Sequence, residues 1–408
     1  MKSIKILFIS TQLPYPPTSG GTMKSWNYIK YLSGKYSVSC ACFLKNDDTK
    51  HQVEFEKAIS LDHSYAEALS VTRSPINLLK SYLAATCLNV YRNRSTTFKK
   101  AIEKLAPQYE IIIIDHYEMF QYVPTDFKGK IVLHTHNAEF MLWQRMGELS
   151  NNPIKKMVLA AEANRVKKYE KQIFKRADLI YSTPSDIELY KKHGFKPNKL
   201  QETFHLGNEH LLDLPDLKFE ETEKAITFMG TMSWEPNIDG IVWFMEKIWP
   251  SIKAKEGDCK LYLLGKDPDK RILKAAKLDP NIIFPGFVKD LDTYLKKTRV
   301  YIAPLRFGSG MKVKMLEGLY RGNPTVSTSV GTEGLALENE KHILIANEDK
   351  AFAQACLRLL GDQSLWVKLR ANSRLIAKEK YMWKPLFEQM DAELKKILPK
   401  ETDHGAVD

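Results

Sequence analysis

No apolar run in this sequence approaches the ~18 residues needed to cross a bilayer, and the opening MKSIKILFISTQLPYPP reaches proline and polar residues too early for a secretory leader. The expectation is a cytoplasmic chain. Cysteine is scarce: Cys40, Cys42, Cys87, Cys259 and Cys356 are an odd set without paired metal-ligand spacing, which excludes a disulfide scaffold and reads as reduced, mostly buried thiols. There is no solenoid repeat, no low-complexity tract and no GxGxxG fingerprint, and the last absence argues against a dinucleotide site. Zinc-finger and RNP patterns are missing too, so the net charge of +12 does not indicate nucleic acid. It still favours anionic partners such as phosphorylated substrates or an acidic lipid surface.

What is present is alternation. The run IKILFIS (4–10) ends in the turn-forming QLPYPPTSGG and gives way to the helical pattern TMKSWNYIKYLSG. SVSCACFL (37–44), EIIIID (110–115), KIVLHTH (130–136) and ADLIYST (177–183) follow, separated by amphipathic segments. After GNEHLLDLPDLKFEETEK, acidic and weakly periodic, the series restarts with AITFMG (225–230), CKLYLLG (259–265), NIIFPGF (281–287), RVYIAPL (299–305), PTVSTSV (324–330) and HILIA (342–346). Continuous apolar strands alternating with helices imply parallel sheets covered on both faces. The α/β fold expected is two doubly wound Rossmann-like domains, residues 1–215 and 222–383, with 384–408 returning to complete the first. Ligands bind beyond the carboxyl ends of such strands, so two facing domains are expected to enclose a cleft.

The densest chemistry lies in FGSGMKVKMLEGLYRGNP (307–324), which follows the strand RVYIAPL. Gly308, Ser309 and Gly310 can turn backbone amides toward an anion, and a helix beginning near Gly310 adds its positive N-terminal dipole. Lys312 and Lys314 in that first turn oppose the dipole, which a bound diphosphate would explain. Glu317, on the face of Lys314, could accept both hydroxyls of a ribose or simply form a surface Lys–Glu pair. His134 and His136 lie two apart at a strand end, but no third ligand of matching spacing follows and no metal is expected. The basic, aromatic-bearing run 78–100 reads as a partly solvated core helix, with an anionic membrane surface as the other reading.

PLRFGSGMKVKMLEGLYRGNPTVSTSVGTEGL resembles the donor-site signature of GT-B glycosyltransferases of the family 4 type, and the resemblance extends over most of the chain. It implies a GT-B fold with a C-terminal crossover helix and a retaining glycosyltransferase that needs no metal or other cofactor. Its partners would be a nucleotide-sugar donor and a glycan or lipid-linked acceptor of surface polysaccharide or lipopolysaccharide; peripheral association with the inner face of the membrane goes with the alternative reading of the run 78–100. By the resemblance, Glu317 binds the ribose and Lys312 and Lys314 the diphosphate. Gly230 and Thr231 in FMGTMSWEP neighbour phosphate or sugar, and Phe287 and Val288 in FPGFVKDL frame the base. Gly20 and Gly21, otherwise a flexible turn, approach the donor phosphates, and His136 lines the cleft near the donor sugar. Asp115 and His116 lie on the acceptor side. Glu139 either orients an acceptor hydroxyl or caps the following helix, the cap being the expectation. The chain departs from the family at Ser309, where many members carry a first glutamate. Two other readings are a nucleotide-sugar epimerase of the same fold and a non-catalytic nucleotide-binding scaffold.

Overall fold

The computed structural model describes residues 4–17, 20–148, 150, 152–277, 279–308 and 311–398. They form two compact units: Met1–Phe204 together with Lys384–Asp408, and His205–Trp383.

The first unit is built on a seven-stranded parallel sheet. Its strands are β1 (Lys5–Ser10), β2 (Ser37–Leu44), β3 (Ser64–Ala68), β4 (Ile111–Asp115), β5 (Lys130–His134), β6 (Leu179–Ser182) and β7 (Leu200–Glu202), in the order β3-β2-β1-β4-β5-β6-β7. The central strands β1 and β4 are apolar over Ile6–Ile9 and Ile111–Ile114 and buried there on both faces, as a sheet covered by helices on each side requires, and each ends in a buried polar residue, Ser10 and Asp115. Strand order reverses between them, with Ser10 in register with Asp115 at their carboxyl ends. The long Pro153–Arg176 helix starts from Asn152, whose side chain accepts the Lys155 N–H at 3.0 Å, with Pro153 in its first turn. It turns Leu159, Ala163, Val166, Ile173 and Phe174 inward. In the closing helix, Trp383–Lys396, Phe387 stacks on Tyr28 with ring centroids 5.6 Å apart, and Asp391 accepts from Tyr36 and, at 3.2 Å, from Lys35.

The second unit carries a six-stranded parallel sheet of β8 (Ala225–Met229), β9 (Lys260–Leu264), β10 (Ile282–Gly286), β11 (Val300–Ala303), β12 (Thr325–Ser327) and β13 (Leu344–Ile345). Its order is β10-β9-β8-β11-β12-β13, again with a reversal, here between β8 and β11.

Three expectations change. The boundary between units falls at Phe204/His205 rather than at 215. The acidic segment that looked like a linker is bound to the second unit: Arg374 donates to the carbonyls of Leu211, Leu212 and Leu214, and Arg299 to those of Phe219 and Thr222. The run 78–100 is not one helix; it contributes to Pro75–Leu83, Leu88–Arg92 and Thr96–Leu105, broken at Ala85 with φ +51°. β3 and β7, on the two edges of the first sheet, were not expected at all. All five cysteines are free and buried. Among the described residues no helix is long and apolar enough to cross a membrane.

Candidate functional site

In the second unit, the carboxyl ends of β8 and β11 meet the Val313–Arg321 helix. This helix starts three residues later than the sequence suggests: Lys312 is its N-cap in extended conformation, and the first helical bond runs from the Met315 N–H to the Lys312 carbonyl at 2.9 Å. Ser309 and Gly310 lie outside the described residues. Gly308 has φ +133°, a conformation that favours glycine, and a Cβ there would stand 3.7 Å from Cε of Lys312.

Lys312 is buried and lies 3.8 Å from Glu333 of the GTEGL run. Lys314 donates to Asn237 Oδ1 and sits 5.1 Å from the Phe228 ring centroid, while Asn237 Nδ2 donates to the Thr231 carbonyl at 2.8 Å. The Lys314 stem keeps some exposure, but its ammonium is enclosed, and burial, then repulsion from Lys312, lowers its pKa to about 7. The repulsion between Lys312 and Lys314 makes this a place that gains from an anion.

Glu317 is likewise inside, so the exposed Lys–Glu pair does not form. Its Oε1 accepts the Asn208 N–H at 3.0 Å, whereas Oε2 is buried without a hydrogen-bond partner. Burial raises its pKa to about 7, with the Asn208 bond pulling the other way. A buried carboxylate oxygen without a donor is costly unless something supplies one.

A row of glycines that sequence reading treated only in part borders these groups. The Gly230 N–H donates to the Leu264 carbonyl at 2.9 Å, and the Gly265 N–H to the Gly286 carbonyl at 3.0 Å. A Cβ on Gly265 would sit 2.0 Å from the Gly230 oxygen, and one on Gly230 would sit 2.8 Å from Asn237 Nδ2 and 3.3 Å from the Lys314 ammonium. Side chains are therefore excluded at Gly230 and Gly265 by close packing, whereas a Cβ on Gly286, where φ is +81°, would meet nothing within 4 Å. The missed signal was plain enough: AITFMG, CKLYLLG and NIIFPG each close on glycine. Thr231 is exposed beside this row. Phe287, just beyond Gly286, is 65% exposed, while Val288 packs on Ala225, Tyr262 and Leu264.

In the first unit, the buried Asp115 carboxylate at the β1/β4 reversal collects a set of donors. Ser10 and Ser25 hydroxyls donate to Oδ2 at 3.0 and 2.6 Å, and His134 Nδ1 and His136 Nε2 lie 2.9 and 2.8 Å from Oδ1. His116, with φ +77°, stacks on His136 at 3.7 Å between ring centroids and brings Nδ1 to 3.3 Å from Oδ2. Burial would raise the Asp115 pKa, but His136 and His116 outweigh it and hold the acid well below the usual carboxylate range. Burial depresses the pKa of His136 well below normal and that of His134 to about 4; at His116 burial is overcome by Asp115 and the pKa rises. One ionised acid thus faces two neutral imidazoles and one that tends to be charged. Lys24, from the Gly20–Ser33 helix, donates to the Thr135 carbonyl at 2.9 Å, and burial lowers its pKa to about 7 against the pull of Asp115 and Asp186.

Asp115, His134 and His136 bring ligand atoms within 4.8 Å of one another, the kind of trio that could hold a cation. Both imidazole nitrogens already lie at hydrogen-bonding distance from Asp115 Oδ1, so a metal would have to displace those contacts beside the Lys24 ammonium. The residues fit a hydrogen-bonded network better than a metal centre.

Gly20 and Gly21 open the Gly20–Ser33 helix rather than forming a turn before it, and a Cβ on Gly21 would lie 3.7 Å from His136 Nδ1. Glu139 begins the Glu139–Glu148 helix, but it is Glu170 that caps it, accepting the N–H groups of Glu139 and Phe140 at 3.2 and 3.1 Å. Glu139 itself accepts weakly from Asn137 Nδ2 at 3.4 Å, and burial, then Glu118, raises its pKa to about 7. Sequence reading missed Lys24, Ser25, Glu170, Asn237 and Asn208, since nothing local marks a lysine or amide whose partner lies far along the chain.

The two sites therefore divide the expected residues. Lys312, Lys314, Glu317, Gly230 and Gly308 gather in the second unit; Asp115, His116, His136 and Gly21 gather in the first. Residues 223–362, which hold the whole second-unit site except its Gly207–Asn208 edge, match the family model Glycosyl transferases group 1. A 44.6 kDa protein of the Klebsiella pneumoniae cps region, itself uncharacterized, is 23% identical over 95% of this chain and 98% of its own length. The Anabaena HepE structure in complex with UDP-glucose superposes with a TM-score of 0.64 at 13% identity, over 97% of this chain and all of that one. Sucrose-phosphate synthase from Thermosynechococcus elongatus does so with a TM-score of 0.65 at 16% identity, over 97% and 99%. With its two parallel sheets and these structural likenesses, the chain has the GT-B fold, and residues 223–362 within it are similar to the group 1 glycosyl transferases.

Proposed function

We propose that the protein transfers a sugar from a nucleotide-sugar donor to a glycan or lipid-linked acceptor in capsular or related surface polysaccharide synthesis, working at the inner face of the cytoplasmic membrane. The observation that carries the donor assignment is a desolvated lysine, repelled by its neighbour, and a carboxylate oxygen without a donor, buried on one helix. Lys314 is an enclosed ammonium beside Lys312, and Glu317 Oε2 is a buried oxygen without a donor. A nucleoside diphosphate answers both, with phosphate oxygens at the lysines and ribose hydroxyls at the carboxylate. HepE binding UDP-glucose and a relative in a cps region support the same reading.

In this reading the lysines and the glycine amides stabilise the negative charge that builds on the departing diphosphate, which is electrostatic catalysis. Positive charge for that task is supplied by side chains, so the proposed reaction needs no resident metal. Asp115 and its histidines hold acceptor-side polarity in the first unit, and transfer is proposed to retain anomeric configuration. The test is a thermal-shift screen of UDP-, GDP- and other nucleotide sugars, followed by NMR of the product anomer. A donor that binds the folded state raises the melting temperature. If no nucleotide sugar stabilises the protein, the donor assignment fails; an inverted product overturns retention.

A further inference from the structure

We propose that the outward face formed by the Pro75–Leu83 helix and the start of the Pro153–Arg176 helix docks on an anionic lipid bilayer. The inference deepens the membrane-side reading above by naming the surface, and rests on that reading only for its purpose.

The Pro75–Leu83 helix turns Leu78 and Ser81 inward but leaves Ile76, Leu79 and Leu83 exposed at 66%, 64% and 81%. Their i, i+3, i+7 spacing puts them on one face. Ile154 and Met157, one turn apart on the longer helix, are 69% and 68% exposed, and Met146 is exposed on the helix before it. The three helices are tied together: Arg165 lies 3.6 Å over the Tyr82 ring and donates to Ser81 Oγ at 3.2 Å, and a Cβ on Gly147 would lie 3.4 Å from that of Leu159. Single exposed apolar residues are ordinary on a soluble surface; a cluster with no role in the core is not.

Charge selects the occupant. Residues 71–83 and 145–157 expose Arg73, Lys80, Lys155 and Lys156 against Glu148 alone, Arg145 having its Nη1 buried. Along the Pro153–Arg176 helix the only acids, Glu162 and Glu170, are buried in the unit, so its solvent face carries basic residues without acidic ones. An apolar stripe rimmed by lysine and arginine fits acyl chains beneath anionic headgroups. It would repel a second copy of itself, because a two-fold contact sets like charge against like. The Glu139–Glu148 helix starts three residues after His136 and reaches this face over about 15 Å. A lipid-linked acceptor held at the bilayer would therefore lie within a short reach of the Asp115 cluster.

The experiment is flotation of the full chain with phosphatidylcholine vesicles, with and without phosphatidylglycerol, at two salt concentrations. Binding is expected on the anionic vesicles and should weaken with salt. Leu79→Glu/Leu83→Glu should lower partitioning by at least about tenfold, and Lys155→Glu/Lys156→Glu should lower it on anionic vesicles. Both variants should keep the wild-type circular dichroism and the wild-type thermal shift with nucleotide sugar. Undiminished partitioning of both variants overturns the proposal, as does absence of vesicle binding, whether or not a dimer or an acidic partner takes the face instead. Vesicle binding by a protein that no nucleotide sugar stabilises would leave this face standing and sink the donor assignment; the reverse result would do the opposite.

Discussion

The Asn208 N–H donates to Glu317 Oε1 at 3.0 Å, and that single bond is all the buried carboxylate has; its second oxygen faces no donor. The arrangement sets stability against binding. Burial has raised the Glu317 pKa to about 7, so its contribution to stability is complete below its ordinary value, near 4.5, and is lost as pH rises through about 7. Glu317→Gln should therefore gain on the wild type as pH rises from 5 to 8, by about 2–3 kcal/mol of unfolding free energy in the absence of donor. The same variant should lose at least about tenfold in affinity for nucleotide sugar, the cost of one charged hydrogen-bonding site. Denaturation at several pH values and calorimetric titration read the two effects separately, and unchanged affinity would refute the ribose assignment.

Lys314 makes a second prediction through its proton. Its enclosed ammonium has a pKa lowered to about 7, so at pH 8 much of it is neutral in the free protein. A diphosphate beside it restores the charge, and binding at pH 8 should take up a proton. Glu317 is already largely ionised there and adds little. Titrations in buffers of different ionisation enthalpy measure the uptake, which should vanish in Lys314→Gln.

The glycine edge separates backbone conflict from side-chain conflict. Gly265→Ala places a methyl 2.0 Å from the Gly230 carbonyl oxygen, which cannot move without shifting β8, and should cost about 3 kcal/mol or more of stability. Gly230→Ala meets Asn237 Nδ2 at 2.8 Å and the Lys314 ammonium at 3.3 Å, which can yield. It should fold with a melting temperature within a few degrees of wild type yet bind donor at least about tenfold more weakly. Equal effects of the two variants on stability would show that this edge does not work as described.

Arg374 predicts where the second unit begins. Its guanidinium binds carbonyls of Leu211, Leu212 and Leu214, together with that of Tyr320 from the Val313–Arg321 helix. A fragment starting at His205 should fold cooperatively, whereas one starting at Thr222 takes from this buried cation its Leu211, Leu212 and Leu214 carbonyls and from Glu317 the Asn208 N–H, and should be several kcal/mol less stable. Chemical denaturation of both fragments decides it.

The architecture was largely legible in the sequence, because central parallel strands such as IKILFIS and EIIIID are apolar on both faces and cannot be mistaken for loops. The edge strand Ser64–Ala68, SYAEA, was invisible for the opposite reason: half-exposed and without β-branched residues, it carries no periodic signal. The Val313–Arg321 helix was recognisable from its Lys-x-Lys-x-x-Glu spacing and from the Arg-Gly-Asn-Pro stop, where Gly322 adopts φ +81° and the Asn323 N–H returns to the Gly318 carbonyl at 2.8 Å. Asn237 and Asn208 were not recognisable, since an amide's role depends on which distant charge the fold delivers to it. The linker misreading has the same root: acidity and low periodicity describe GNEHLLDLPDLKFEETEK correctly, but say nothing of the arginines that bind its carbonyls.

The return of the chain to the first unit at Lys384 has a consequence in time. The ribosome must deliver roughly 180 further residues after Phe204 before the closing helix arrives, about 10–40 s at ordinary elongation rates. Until then the aromatic surface of Tyr28 and Tyr31, which Phe387 later covers, stands open on a nascent chain. Maturation of the first unit thus waits on completion of the second, and a truncated product would advertise itself to the quality-control machinery by that uncovered patch.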